Sequence, residues 1–86
     1  MPEPDVFAVV DRYLRGEITE MDLRHWLTGC LEWIDRWAPD DQRELGLTAQ
    51  EFDFILQDGE WTEDTFRAEL GREYRKARKQ RTSQVS

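Results

Sequence analysis

His25, Cys30, Asp22 and the carboxylates around two glycine corners are the side chains in this sequence that could do chemistry, and their spacing limits what that chemistry is. A thiol beside an imidazole would make a nucleophile and its base. His25 and Cys30 stand five positions apart in one helical stretch, about 140° around its axis, so they cannot meet. Cys30 falls in an apolar stripe and His25 faces away from it. Asp22 and His25, at i and i+3, could supply two metal ligands, but the chain has no second His and no second Cys to complete a site.

The first glycine corner also invites a calcium test. Gly16, Ile18 and Asp22 have the spacing of positions 6, 8 and 12 of an EF-hand loop, which puts Asp11 at position 1. Tyr13 and Arg15 then occupy positions 3 and 5, where oxygen ligands are needed, and Asp22 is shorter than the usual bidentate Glu. The second corner would place Phe54 and Leu56 at positions 1 and 3, which is worse. Acidic pairs are too abundant to single out an acid and a base, and the five glycines are scattered singly, with no phosphate loop among them. The expectation is a chain without a catalytic site, a metal or a cofactor.

The elements that position these residues are written in a repeated phrase. Residues 14–27 (LRGEITEMDLRHWL) and 57–70 (QDGEWTEDTFRAEL) share Gly16/Gly59, Glu17/Glu60, Thr19/Thr62, Glu20/Glu63, Arg24/Arg67 and Leu27/Leu70. Gly after a helical run supplies the left-handed residue that ends a helix, and Thr caps the next. Each phrase therefore predicts a helical corner, with Ile18 or Trp61 turned inward to pin it.

Around the corners, Val6, Phe7, Val9, Val10, Tyr13 and Leu14 share one side of a helix over about 5–15. Leu23, Trp26, Leu27, Cys30, Leu31, Ile34 and Trp37 form a buried stripe on a second helix over 19–37, stopped by Pro39. Residues 38–47 (APDDQRELGL) read as a linker with at most one turn before Gly46. Thr48 and Glu51 have the form of a capping box, and Leu47 and Phe52 that of a hydrophobic staple, opening a third helix over 49–57. A fourth over 62–79 carries Phe66, Leu70, Tyr74 and Ala77. The prediction is all-α: a small antiparallel four-helix bundle of two helical hairpins forming a single domain over 1–81, with 82–86 a disordered tail.

Ten aromatic residues, four of them Trp, give 86 residues enough bulk for one core, each contributing on the order of 2 to 3 kcal/mol when enclosed. A lone cysteine and an N-terminus without signal-peptide character point to a reducing cytoplasm, and no apolar run is long enough to span a bilayer. Charge is divided: residues 1–70 carry 18 acidic and 6 basic side chains, net −12, and residues 71–86 carry 1 and 6, net +5. An acidic body repels nucleic acid and anionic lipid and suits a basic protein partner.

Two kinds of surface residue stand out against that background. Trp26, Trp33 and Trp37 border the stripe of the second helix, where such residues ordinarily wedge into the core; Trp33 and Trp37 are the candidates to anchor a partner instead. Phe54 points away from its own helix's apolar face, so either the linker or a partner covers it. Asp40, Asp41 and Glu44 in the linker, and Asp58, Glu60, Glu63 and Asp64 at the second corner, serve helix capping and solubility or form a negative surface for a cationic target. The basic stretch with Arg72, Arg75, Lys76, Arg78, Lys79 and Arg81 complements a helix C-terminus; as a phosphate-contacting arm it would work against the acidic body.

The stretch YLRGEITEMDL, residues 13–23, together with a longer second helix and a late acidic corner, resembles the small bacterial immunity proteins of the colicin D type. The resemblance implies an acidic four-helix protein that binds a cognate nuclease toxin and blocks its basic substrate cleft. The functional expectation is a non-catalytic protein-binding module, in its most concrete form an acidic immunity protein or inhibitor of a basic toxin or nuclease. The alternative is a small subunit or adaptor that self-associates or joins a complex through an aromatic helix face, with nucleic-acid contact through the basic end a third reading. The oligomeric state is left open.

Overall fold

The repeated phrase folds twice into the same corner. A computed structural model describes residues 5–85, with side chains from 5 to 80. In it the backbone is left-handed at both glycines, with φ of 81° at Gly16 and 85° at Gly59. The Gly16 N–H donates to the Tyr13 carbonyl at 3.0 Å and the Glu17 N–H to the Arg12 carbonyl at 2.9 Å; Gly59 and Glu60 donate likewise to Leu56 and Ile55 at 3.1 and 3.3 Å. This is the Schellman arrangement at both places. Thr19 then closes a reciprocal capping box with Asp22, both bonds 3.1 Å, and the Thr62 hydroxyl accepts from the Thr65 N–H at 3.3 Å.

The helices are α1 (Val6–Leu14), α2 (Glu20–Gly29), α3 (Leu31–Arg36), α4 (Asp40–Gln57) and α5 (Glu63–Val85). Among the described residues there is no strand, so the chain is all-α, with five helices rather than four. α4 packs against all of the others. The core joins Val6, Phe7, Val10 and Tyr13 of α1 to Leu23 and Leu27 of α2, Ile34 of α3, Leu45 and Ala49 of α4, and Phe66, Leu70 and Tyr74 of α5. Ile18 and Trp61 pack against it from the corners, as their place before the Thr caps predicts.

Two expectations are corrected. The helix expected over 19–37 is interrupted at Cys30, whose backbone leaves the helical region at φ −107°, ψ 11°, directly after Gly29, a poor helix former. Angles projected along one continuous cylinder therefore fail beyond it: Leu31 and Trp37, assigned to the buried stripe, are exposed. The second correction is larger. The linker 38–47 and the helix 49–57 are one helix of 18 residues, α4. Asp40 and Asp41 lie in its first turn, where carboxylates favour a helix N-terminus, and Thr48, expected as a cap, sits in its interior.

Gly46 explains the misreading. It is not a helix stop but a point of close approach, because a Cβ there would lie 3.0 Å from Cγ2 of fully buried Ile34. The missing side chain lets α3 press onto α4. Helical structure before Gly46 also turns Gln42 inward, so that its Oε1 accepts the buried Val6 N–H at 3.1 Å and ties α1 to α4. At the far end α5 is helical through Val85, past the expected end at 79, and Ser86 of the expected tail lies outside the described residues.

The two kinds of glycine can be told apart by substitution. Gly59→Ala is expected to lose about 1 kcal/mol because its φ is positive although space is open around it. Gly46→Ala is expected to lose at least about 1 kcal/mol by overpacking against Ile34, although helix propensity alone predicts a gain of similar size. Urea unfolding at equilibrium measures both, and a more stable Gly46→Ala chain would mean that Ile34 can give way.

Candidate interaction surface on the central helix

Because α4 is continuous from Asp40, five of its residues and its cap residue Asp58 fall in line on the solvent side. Asp40, Glu44, Leu47, Glu51, Phe54 and Asp58 follow one another at intervals of four and three, and every one is exposed. The line runs the length of α4, about 27 Å for 18 residues. Phe54 is 69% exposed and Leu47 40%, each standing between carboxylates. Asp40 has a 3.6 Å ion pair with Arg43, while Glu44, Glu51 and Asp58 have no ion pair with a described residue. The ridge is thus a negative strip, three of its four carboxylates without an ion pair to a described residue, with two apolar studs.

Beside the ridge, α4 meets α2 and α3 across an open groove of about 310 Å³, walled by Leu27, Leu31 and Phe54. Its floor is polar. Arg24 Nε donates to Asp53 Oδ2 at 3.1 Å, Arg24 Nη2 pairs with Glu20 Oε1 at 2.8 Å, and Gln57 Nε2 donates to Asp53 Oδ2 at 2.7 Å. Asp53 is only 7% exposed. Gln50 donates at 3.4 Å to the Leu27 carbonyl, one of those that the end of α2 leaves without a helical partner.

Two carboxylates share one guanidinium in this cluster. Burial first, then the hydrogen bond and charge of Asp53, push Glu20 up to about 7 against the opposing pull of Arg24. The corresponding pair at the other corner works differently: Arg67 folds back on Glu63 at 3.4 Å and lies 4.8 Å over the ring of Tyr13. Burial there is the main cause raising the Tyr13 hydroxyl to about 12, and that hydroxyl donates to Glu63 at 3.3 Å.

The residues singled out from sequence are placed unevenly. Phe54, Asp40 and Asp58 belong to the ridge. Asp41 is half-buried and accepts the Gln42 N–H at 2.9 Å. Glu60, Glu63 and Asp64 are exposed at the α4–α5 corner, Glu63 being engaged by Tyr13 and Arg67. The two acidic groups therefore sit at opposite ends of α4 and are joined only by the ridge between them. Trp33 is half-buried and packs on the core, whereas Trp37, at the end of α3, is 72% exposed.

On sequence Glu44 reads as a linker acid and Leu47 and Glu51 as staple and capping-box residues, while Arg24, Asp53 and Gln57 beneath the groove are assigned no site role. The signal for the first three was present as the four-three spacing from Asp40 to Asp58, but it is visible only when the segment is one helix. No protein-family model, curated protein or solved structure matches the chain. Among the described residues no helix is long and apolar enough to cross a membrane.

The Glu20 cluster makes stability depend on pH. In the folded chain Glu20 holds its proton to about 7, against an ordinary value of 4.5, so between these values the folded state binds more protons than the unfolded one. Its contribution is full below 4.5 and is lost as pH rises through about 7. Glu20→Gln, which keeps the neutral form, is expected to gain on the parent by about 1 to 2 kcal/mol between pH 5 and pH 8. Parallel stability profiles for the two chains in urea would rule this out.

Proposed function

We propose that this chain is a non-catalytic protein-binding module whose α4 ridge and acidic α4–α5 corner hold a basic protein, and that neutralisation of a cationic toxin or nuclease is its most concrete role. The observation that carries the reading is the exposed line Asp40, Glu44, Leu47, Glu51, Phe54 and Asp58. Carboxylates spread over about 27 Å of helix attract a positively charged surface and speed encounter with it. Phe54 then supplies what charge alone does not, a large ring that loses water when the partner closes over it.

Geometry at the corner supports the same reading. Glu60 and Asp64 are exposed beside Glu63, so the end of the ridge widens into a negative patch at the start of α5. A nuclease cleft is built to hold phosphates, and a row of carboxylates on a rigid helix presents negative charge in a comparable linear array. The resemblance of residues 13–23 to immunity proteins of the colicin D type points the same way. A second reading, an adaptor that joins a complex through an aromatic face, rests on Trp37, exposed at 72%.

Affinity capture with the full chain as bait, from cells encoding a cationic nuclease beside it, tests the proposal. Binding is expected to weaken at least tenfold between about 50 mM and 500 mM salt as the carboxylates are screened. Phe54→Ala is expected to cost about 1 to 2 kcal/mol of binding, mainly through faster dissociation. Trp37→Ala is expected to leave affinity unchanged. Salt-insensitive binding, or loss on Trp37→Ala alone, would favour the aromatic adaptor.

A further inference from the structure

The negative ridge has a positive counterpart on the same molecule. In α5, Arg72, Arg75, Lys76 and Lys79 are exposed, and Ala77 is the last described residue that packs against the core. Arg72 pairs with Glu69 at 3.4 Å, but Arg75, Lys76 and Lys79 have no ion pair with a described residue. Glu51 and Asp58 on α4, and Arg75, Lys76 and Lys79 on α5, are exposed groups of opposite sign without ion pairs to described residues, and that is the observation to be explained. Within one chain Lys76 lies near Glu44, but the cations of α5 sit beside the first half of α4, away from Glu51 and Asp58. α4 and α5 lie side by side, with the N-terminal half of one against the C-terminal half of the other across a groove lined by Glu44, Thr48, Lys76 and Gln80, and the ridge from Glu51 to Asp58 faces solvent further along.

We propose that the basic end of α5 docks on the α4 ridge of a second copy of the chain. The spacing fits. Glu51 and Asp58 are seven residues apart, as are Arg72 and Lys79, so each pair spans about 10.5 Å along its helix and the two can lie opposite each other. Phe54 stands between the two carboxylates, and Arg75 between the two cations. Arg75 can place its guanidinium over the exposed Phe54 ring, and its aliphatic stem covers apolar surface that is otherwise wet. The contact joins unlike surfaces, so one copy uses its ridge and the other its α5 end. It occupies the surface assigned above to a basic protein, which would displace it, but it needs no foreign partner to form.

Sedimentation of the full chain from about 10 µM to about 1 mM, at low salt and again at about 0.5 M, tests this. Mass is expected to rise with concentration at low salt and to stay monomeric at high salt. Glu51→Lys/Asp58→Lys and Arg75→Glu/Lys79→Glu alter exposed side chains and are each expected to associate at least tenfold more weakly, with unchanged far-UV circular dichroism. Mixed one to one, the two variants retain one intact ridge and one intact basic end between them and are expected to form a hetero-pair. A chain that is monomeric throughout, variants that associate like the parent, or a mixture without pairing would overturn the proposal. A monomer that binds an oligonucleotide through Arg75 and Lys79 would assign the basic end to nucleic acid instead. The capture assay for a basic protein reads an independent outcome, so failure here leaves that reading standing.

Discussion

Ile34 pressed onto Gly46 is the contact on which the other features of the molecule depend. The 3.0 Å that separates Ile34 Cγ2 from where a Cβ would stand is tighter than ordinary contact, so any side chain larger than hydrogen would require Ile34 to shift. The missing side chain lets α3 come this close while α4 continues through the glycine, and the first turns of α4 meet α1 at Gln42 and α3 at Gly46. Gln42 is thereby held where it can cap the buried Val6 N–H, which ties the N-terminus of α1 to the start of α4. Without that continuity Asp40 and Phe54 would not share a helix, and there would be no ridge.

The repeated phrase shows how the same residues take up different roles in different surroundings. Each copy has Glu and Arg one turn apart, Glu20 with Arg24 and Glu63 with Arg67, and in each the arginine folds back on its glutamate. Each then reaches a helix that lies elsewhere in the chain. Arg24 finds the carboxylate of Asp53 on α4, so two acids crowd one cation and a proton is retained. Arg67 finds the ring of Tyr13 on α1, an uncharged partner. A local motif sets the pairing within the helix, and the element packed across from it decides the electrostatics.

Local signals suffice for the two corners. Positive φ at Gly16 and Gly59, the Schellman bonds and the Thr caps all involve residues within six positions of one another, so nothing distant is needed to specify them. The apolar positions of α1 and α5 were readable for the same reason: Val6, Phe7, Val10, Tyr13, Phe66, Leu70 and Tyr74 repeat at helical spacing and are all buried. Phe54 was legible as an outward-facing ring. What it stands beside was not, because Arg24, Leu27 and Leu31 reach the groove from another part of the chain.

The sequence by itself determined an all-helical chain, two glycine corners, an acidic body and a basic end, since composition and short-range hydrogen bonding fix these. Tertiary structure alone decided that the second helix breaks at Cys30 and that residues 40–57 form one helix. Glycine in a sequence marks a backbone stop and a close packing contact with the same letter. Only the side chain that arrives from elsewhere in the chain, Ile34 at Gly46, distinguishes them.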